Sequence, residues 1–372
     1  MLLQYCCLSL WRYSFALYAA HRNLCGDQVV SYYLMLLHCS DSLSFLQQSQ
    51  ALSSALQMGA RQRRGRHRER MEPKSKSWWK RKLKGFVAAR KGEREDMQDA
   101  HVLLNDFSAE VSPLPARVSR LSYFAVFDGH GGARASRFAA QNLHLNLASK
   151  FPKGCMASAT NMEKMVKKSL LDSFKQTDDD FLKHASSQKP AWKDGSTATC
   201  VLVVDDVLFI ANLGDSRAVL CRAAGEDSKK MSTLALSKEH NPTQYEERMR
   251  IQRAGGTVRD GRVLGLLEVS RSLGDGQYKR CGVISTPHLR RCQLTPNDRF
   301  LLLACDGLFK VFSPEEAVSF VVPILEEETL EQKEGKTLQD TRFETACNRL
   351  ANEAVRRGCA DNVTVLLVNI EH

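Results

Sequence analysis

The stretch YFAVFDGHGGARASRFAAQ, residues 123–141, decides how this chain folds. Five apolar and aromatic residues run directly into Asp128-Gly129-His130, and two further glycines lead into a segment with helical spacing. An Asp-Gly pair usually forms the tight turn between two antiparallel strands. Here a helix follows instead of a returning strand, so a hairpin does not explain why a buried strand ends on an acid and a histidine.

The composition is that of a large folded protein with one strongly basic segment. The 372 residues suffice for one large domain or two ordinary ones, and 43% hydrophobic residues can supply a sizeable core. The net charge of +11 is concentrated in residues 61–94, which hold 15 Lys or Arg residues against three acids. The 12 cysteines form no CxxC pair, which indicates reduced thiols in an intracellular protein. No apolar run reaches the about 18 residues that a membrane-spanning helix needs.

The first 58 residues are expected to be an unfolded leader. In their opening MLLQYCCLSLWRYSF, Arg12 interrupts the apolar run that a secretory signal requires. An amphipathic organelle-targeting peptide and acylation of Cys6-Cys7 are the alternatives.

Residues 59–85 form a basic segment, which precedes a predicted globular domain at residues 86–372. Like charges at this density resist folding, so the segment can be a solvated linker, a nuclear import signal or an arm that binds a polyanion. Trp78-Trp79 favour a binding role, because exposed tryptophans are costly to leave in water. We therefore expect the protein in the cytoplasm, the nucleus or both.

The globular part alternates apolar runs with helical patterns. Strands are predicted at residues 123–127, 197–204, 207–212, 217–222, 299–305 and 362–370, and helices at 133–150, 163–187, after Asn241-Pro242, after Ser313-Pro314 and at 341–357. Tight turns within residues 201–222 predict an antiparallel meander. A meander with separate helices favours an α+β fold in which two sheets pack together with helices outside.

Four predicted strand ends each present an acid. Asp128 and Asp306 directly follow apolar runs and precede helices. Asp361 comes immediately before a buried strand, and Asp215 lies at the tip of the meander. Carboxylates gathered at one edge of a sheet are expensive to bury, and a metal ion removes that cost. Hard oxygen ligands without a Cys or His set point to magnesium or manganese rather than zinc.

Three further Asp-Gly pairs begin at Asp194, Asp260 and Asp275 and sit in polar loops, where we expect ordinary turns.

Such a metal centre suits phosphoryl transfer. Two ions can activate a water and hold the oxygens of a phosphoryl group during in-line attack. His130, next to a metal ligand, can protonate the leaving alkoxide. Arg94 in KGEREDMQDAH and Arg271 in LEVSRSLGD are candidates for bidentate phosphate binding. For either arginine, the alternative is an ion pair with a neighbouring acid.

Eight motifs along the chain carry a family resemblance. In order they are GEREDMQDAH, YFAVFDGHGG, DGSTATCVLVV, ANLGDSRAVL, LSKEHNPTQYEERMRIQRAGG, VSRSLGD, LLLACDGLF and ADNVTVLLV. Over roughly residues 85–371, the chain resembles the metal-dependent type 2C serine/threonine protein phosphatases. The resemblance implies a four-layer fold, in which two antiparallel sheets lie between antiparallel helices.

The resemblance also implies two manganese or magnesium ions in the cleft between the sheets. Asp128 would bridge both ions, and the carbonyl of Gly129 would join one of them. Asp306 and Asp361 would hold the other.

Further roles are implied for three residues near these ligands. Asp99 would bind a water on the metal, His130 would act as the general acid, and Arg94 would hold the substrate phosphate. The chain departs from the family motif at Gln98, where an acid is usual, so one water-mediated contact to metal would be weaker.

A second departure is Lys310 in CDGLFKVF, where many relatives carry an acid that helps Asp306 and Asp215 to hold a weak third ion. A lysine brings a positive charge toward the same place, with a stem long enough to reach Asp306 or Asp215. The alternative is that Lys310 points into solvent.

The predicted function is hydrolysis of phosphoserine and phosphothreonine in intracellular signalling. We expect a monomer that acts on phosphorylated proteins, with kinases as further candidate partners and nucleic acid not expected. The alternative is a catalytically silent binding or scaffold protein that keeps the phosphatase fold. The presence together of Asp128, His130, Asp306 and Asp361 favours catalysis, because a binding protein has no need of such costly groups.

Overall fold

The computed structural model describes residues 82–116, 118–153, 159–225 and 230–371. The expected leader and the basic segment up to residue 81 lie outside the described residues.

Strands and helices alternate irregularly along the described chain. The strands are β1 (Leu83–Arg90), β2 (Ala100–Leu104), β3 (Leu121–Phe127), β4 (Gly129–His130), β5 (Gly195–Ser196), β6 (Ala198–Val204), β7 (Val207–Leu213), β8 (Arg217–Ala223), β9 (Met231–Ala235), β10 (Val258–Arg259), β11 (Arg262–Val263), β12 (Leu273–Gly274), β13 (His288–Gln293), β14 (Asp298–Ala304) and β15 (Val363–Ile370). The helices are α1 (Arg134–Lys150), α2 (Ala159–Ser186), α3 (Tyr245–Arg253), α4 (Gly276–Lys279), α5 (Asp306–Phe309), α6 (Pro314–Leu325) and α7 (Leu338–Arg356), with a 3₁₀ turn at Ala109–Val111.

Two five-stranded antiparallel sheets form the centre of the fold. The first has the order β1-β15-β14-β8-β9 and the second has the order β13-β7-β6-β3-β2. A small sheet of order β12-β5-β4 continues from the end of β3, and β10 pairs with β11 in a separate hairpin.

Strand β3 explains how the layers stack. Phe124 and Val126 face the first sheet and pack in a cluster that includes Leu366 of β15. Tyr123 and Phe127 face the opposite way and pack against α1 and α2. Because both faces of the strand are covered, its sequence is an unbroken apolar run rather than an alternating one.

The outer face of the first sheet is covered by α6 and α7. Phe343 of α7 meets Phe300 of β14 edge to face, with ring centroids 6.4 Å apart. Helix, sheet, sheet and helix layers therefore follow one another, which confirms the expected α+β four-layer sandwich. Among the described residues, no helix has both the length and the apolar character to cross a membrane.

Two predicted boundaries differ from the structure. Strand β1 begins at Leu83, three residues before the expected start of the domain at residue 86, and it pairs with β15 from Leu83 opposite Ile370 onward. Helix α3 begins at Tyr245 rather than directly after Asn241-Pro242, because Oδ1 of Asn241 accepts from the backbone N–H of Thr243 in a preceding turn. Helix α6 does begin at Pro314 as predicted, with a reciprocal Ser313–Glu316 capping box.

The predicted meander is correct only for its first half. Strands β6 and β7 form a hairpin, but β8 pairs with β14 in the other sheet. His240 holds the connection after β7: its backbone N–H donates to the carbonyl of Gly214, and its Nδ1 accepts from the N–H of Gly214. The chain therefore passes from one sheet to the other at this point, and Asp215 lies in the crossover.

Candidate active site

The four acids predicted at strand ends line one cleft of about 530 Å³. Asp128 follows β3, Asp215 lies between β7 and β8, Asp306 begins α5 after β14, and Asp361 precedes β15. Since β3 and β7 belong to one sheet and β14 and β15 to the other, the cleft lies where the ends of both sheets meet. The same cleft is lined by Gly129, His130 and Arg94.

The backbone at Asp128 does not form a turn. The backbone N–H of Thr197 donates to the carbonyl of Asp128, and Oγ1 of Thr197 accepts from the N–H of Asp128. A Cβ added to Gly129 would lie 2.2 Å from the carbonyl oxygen of Gln98, so only glycine allows this close approach. The chain then continues as β4, and the acid is held at the junction between two sheets.

Burial and neighbouring negative charges raise the pKa of Asp128 and Asp215. Burial raises the pKa of Asp128 well above its ordinary value, and the charges of Asp99, Asp306 and Asp215 add to this effect. Burial raises the pKa of Asp215 to about 7, again with a contribution from Asp306. Such a group of half-buried acids is short of positive charge, as expected of a cation site.

Asp99 lies beside these acids, beneath the cleft. Its Oδ2 accepts from Oγ1 of Thr364 at 2.7 Å and from Sγ of Cys305 at 3.0 Å. Its Oδ1 is buried and has no hydrogen-bond partner in the part of the chain that the structure describes. Burial raises the pKa of Asp99 to about 6, against the two hydrogen bonds that lower it.

The donor set fits a divalent cation. Ligand-capable atoms of Asp99, Asp128 and Cys305 lie within 4.8 Å of one another, and Oδ1 of Asp99 still lacks a partner among the described residues. Burial keeps the pKa of the Cys305 thiol well above its ordinary value, so the thiol acts as a hydrogen-bond donor to Asp99. Carboxylates are then the available ligands, and these suit magnesium or manganese.

Two positively charged side chains, those of Lys310 and Arg94, contact Asp361. The Nζ atom of Lys310 contacts Oδ2 of Asp361 and Oδ2 of Asp306, and a guanidinium nitrogen of Arg94 lies 3.0 Å from Oδ2 of Asp361. Burial alone would raise the pKa of Asp361, but the hydrogen bond and charge of Lys310 bring it below its ordinary value. Lys310 therefore reaches the acids of the cleft, which was one of the two interpretations of the sequence, and does not simply point into solvent.

Arg271 does not belong to this group. It is absent from the described residues that line the cleft, and its guanidinium is bound by the carboxylate of Glu247, with a nitrogen–oxygen distance of 2.7 Å. A second nitrogen donates to the carbonyl of Thr286. Arg271 thus forms an ion pair with an acid, which was the alternative to its expected role in binding phosphate.

The acids of the other three Asp-Gly pairs differ in burial and in side-chain contacts. Asp260 has φ +49° in the two-residue turn between β10 and β11. Asp194 is 1% exposed and accepts from Nε of Arg134 at 2.8 Å. Asp275 is 2% exposed and lies 2.6 Å from Nε2 of His130.

Sequence reasoning missed Asp275 because its local signal is that of a turn. The available clue was its place at the end of VSRSLGD, one of the motifs that carry the family resemblance. Burial would lower the pKa of His130, but the charge of Asp275 and the hydrogen bond to it dominate, and the pKa lies above its ordinary value.

Comparisons with known proteins agree with the motifs. A family model described as protein phosphatase 2C matches residues 83–363. The integrin-linked kinase-associated serine/threonine phosphatase 2C of Bos taurus is 72% identical over 288 residues, which are 77% of this chain and 77% of that protein. The protein of the same name from Homo sapiens is 71% identical over 290 residues, 78% of this chain and 73% of that one. The probable protein phosphatase 2C 67 of Oryza sativa subsp. japonica is 39% identical over 297 residues, with 77% and 75% covered.

Solved structures agree on the fold. A serine-threonine phosphatase 2C from Toxoplasma gondii has a TM-score of 0.62 at 22% identity, over 78% of this chain and 95% of that chain. A sex-determining protein of C. elegans has a TM-score of 0.63 at 23% identity, over 78% and 65%. These solved structures show the fold alone, whereas the family match and the identities above 70% show the family. This chain belongs to the protein phosphatase 2C family, the metal-dependent serine/threonine protein phosphatases.

Proposed function

We propose that this cleft hydrolyses phosphoserine and phosphothreonine in proteins with the help of two manganese or magnesium ions. The observation that carries the proposal is the meeting of Asp128, Asp215, Asp306 and Asp361 from two sheets in one cleft with His130. Raised carboxyl pKa values at Asp128 and Asp215 support a site that needs added positive charge.

Different residues of the cleft would hold the two ions. Asp128 would contact both ions, the carbonyl of Gly129 would join one, and Asp306 and Asp361 would hold the other, with Asp215 next to Asp306. When bound there, two divalent ions supply an activated water and offset the negative charge of the phosphoryl oxygens.

Asp99 supports the centre from below. Its Oδ2 is fixed by Thr364 and Cys305, so the orientation of the carboxylate is set before a cation arrives. Its Oδ1, which has no partner among the described residues, would accept a hydrogen bond from a water on the metal.

Arg94 is suited to bind the substrate phosphate. Its side chain is 60% exposed at the cleft, and its contact with Asp361 uses one of the five N–H donors of a guanidinium. The other donors can pair with phosphoryl oxygens, and the contact with Asp361 holds the group beside the metal ligands.

His130 is suited to act as the general acid. Its side chain lines the cleft and is 31% exposed, so a substrate can reach it. Its raised pKa favours the protonated form that can give a proton to the leaving serine or threonine oxygen.

The proposal is tested by hydrolysis of a phosphoserine peptide with manganese, with magnesium and with a chelator. We expect activity that requires metal and a loss of at least about 1000-fold in Asp306→Asn, because a ligand is removed. The control is Asp172→Asn, which changes a partly exposed acid on α2, away from the cleft. Calorimetric titration with manganese should show weaker binding for Asp306→Asn only. Activity that persists in chelator, or equal activity of both variants, would contradict the proposal and leave the silent binding protein as the alternative.

The partners and the location belong to the same proposal. Phosphorylated proteins are the substrates, the protein acts as a monomer in intracellular signalling, and kinases are candidate partners. The relatives at 71–72% identity are named for association with integrin-linked kinase, which supports a kinase as a partner to test first. The cytoplasm and the nucleus are the proposed compartments, on the strength of the basic segment and the cysteine pattern.

A further inference from the structure

His130 and Asp275 form a close pair at the edge of the cleft. Nε2 of His130 lies 2.6 Å from Oδ2 of Asp275. The same Oδ2 accepts a hydrogen bond from Oγ of Ser272, also at 2.6 Å. The Asp275 side chain is 2% exposed, whereas that of His130 is 31% exposed, so the acid is behind the histidine and the histidine meets the cleft.

The backbone of Gly195 approaches the pair closely. A Cβ added to Gly195 would lie 2.2 Å from both Oδ2 of Asp275 and Nε2 of His130. The pair therefore rests on the bare backbone of Gly195. Asp275 itself has φ +53°, a conformation that is uncommon for residues other than glycine, and its N–H donates to the carbonyl of Asp194.

The loop that carries Asp275 is anchored to helix α2. Asp178 of α2 accepts from the backbone N–H of Gly274 at 2.8 Å through Oδ1, and its Oδ2 lies 2.9 Å from Nζ of Lys279. Lys279 also donates to the carbonyl of Ser272 at 2.7 Å. Both sides of Asp275 are thus fixed to a long helix, which gives the carboxylate a defined position.

We propose that Asp275 is the positioning residue for His130, with Ser272 holding its carboxylate. The inference rests on the proposed function, in which His130 protonates the leaving group. A protonated imidazole has two N–H groups. Asp275 accepts the one on Nε2 and thereby fixes the plane of the ring, so that the N–H on Nδ1 is the one given to the leaving oxygen. This is the arrangement by which an acid orients a histidine in other hydrolytic sites.

The proton balance of the step is simple. An oxygen of water bonds to phosphorus, and the bond between phosphorus and the seryl oxygen breaks, with its electron pair going to the seryl oxygen. That oxygen takes the proton from Nδ1 of His130, while the attacking water loses one proton, which returns through solvent to the imidazole. The products are the free hydroxyl side chain and inorganic phosphate. Asp275 neither gains nor loses a proton.

The role is tested by comparing leaving groups in Asp275→Asn. We expect kcat to fall by about 100-fold for a phosphoserine peptide but by less than about 10-fold for 4-nitrophenyl phosphate, whose leaving group needs no proton. KM should stay within about 2-fold for both substrates. The control is Asp260→Asn, which changes an exposed acid that also has positive φ and precedes a glycine, and which should change neither rate.

Two further variants separate positioning from a general structural role. Ser272→Ala removes one hydrogen bond and should reproduce the difference between the substrates at smaller size, even if Asp275→Asn folds poorly. The double variant His130→Ala, Asp275→Asn should be no slower than His130→Ala alone. Nitrogen NMR of the full-length protein at fixed pH should show a changed chemical shift of the His130 ring nitrogens in Ser272→Ala or Asp275→Asn, because the hydrogen bond to Nε2 is weakened or lost.

The outcomes distinguish this inference from the function on which it rests. Equal losses on both substrates, additive losses in the double variant, or an unchanged His130 ring signal would overturn the role of Asp275. If His130→Ala itself lowers both substrates equally, the general-acid role of His130 fails. If the unmodified protein shows no metal-dependent hydrolysis, the proposed function fails.

Discussion

The ammonium nitrogen of Lys310 lies 2.6 Å from Oδ2 of Asp361. The same atom lies 2.7 Å from Oδ2 of Asp306, so one lysine contacts both acids assigned to a metal ion. Burial would lower the pKa of Lys310, but the two carboxylates dominate and raise it, so the side chain stays charged. The expected contact with Asp306 is present, and the second contact is with Asp361 rather than Asp215.

Replacing Lys310 by aspartate should change how many ions the cleft holds. The variant Lys310→Asp removes a cation from the carboxylates proposed to hold a metal ion and adds an oxygen ligand in its place. We expect equilibrium dialysis with manganese to show one additional weakly bound ion and the activation curve to extend into the millimolar range. The control is Lys164→Asp, which changes an exposed lysine on α2. Superimposable binding and activation curves for Lys310→Asp and the unmodified protein would refute this.

Removing Arg271 should cost stability rather than activity. Glu247 is 3% exposed and is held by Arg271, by Arg250 and by Oγ of Ser270. The variant Arg271→Gln leaves a buried carboxylate with too little positive charge, so we expect a loss of roughly 2–4 kcal/mol in urea unfolding. The kcat/KM of the folded protein should stay within about 3-fold.

The matched variant Arg94→Gln should behave in the opposite way, because Arg94 is exposed at the cleft. We expect unchanged unfolding and a KM for phosphopeptide raised by about 10-fold or more, for the loss of a charge-assisted pair. A raised KM in Arg271→Gln with unchanged stability would instead restore Arg271 as a phosphate ligand.

The stability of the metal-free protein should fall as pH rises through the range in which Asp215 ionises. The carboxyl pKa is 3.8 when unperturbed and about 7 in the folded protein. Between these values the folded state binds more protons than the unfolded state, so stability is highest at the acidic end and declines toward pH 7. In chelator, the free energy of unfolding of Asp215→Asn should therefore exceed that of the unmodified protein by roughly 1–3 kcal/mol at pH 8, with no difference at pH 4. For the control Asp172→Asn we expect the same difference from the unmodified protein at every pH. The same result for Asp215→Asn would count against the prediction.

Residues 61–85 of the basic segment should direct a reporter to the nucleus. It lies mostly outside the described residues, and its density of Lys and Arg is the motivation. We expect nuclear accumulation of a fluorescent fusion and an even distribution of the same fusion with its Lys and Arg changed to Gln. If both fusions distribute evenly, the segment is a solvated linker.

Much of the fold and of the candidate metal site could be predicted from local pattern. The apolar run 123–127 ends at Asp128, and the run 299–305 ends at Asp306, because a strand covered on both faces is apolar until it leaves the sheets. The Ser313–Glu316 capping box marked the start of α6 in the same local way. Edge strands such as β2 and β13 were missed because their half-exposed side chains leave only a weak pattern.

By itself, the sequence determined the layered architecture, the family and the acids at four strand ends. The reason is that the spacing of apolar residues along the chain indicates which segments are strands and helices and which faces are buried. Only the tertiary structure decided which charge meets which. His130 contacts Asp275, which is 145 residues away in the sequence, and Lys310 contacts Asp361, which is 51 residues away. Arg271 is paired with Glu247, outside the residues described as lining the cleft. Such pairings depend on which loops the sheets bring together, and an acid in a turn-like motif looks the same in sequence whether it faces water or a histidine of the cleft.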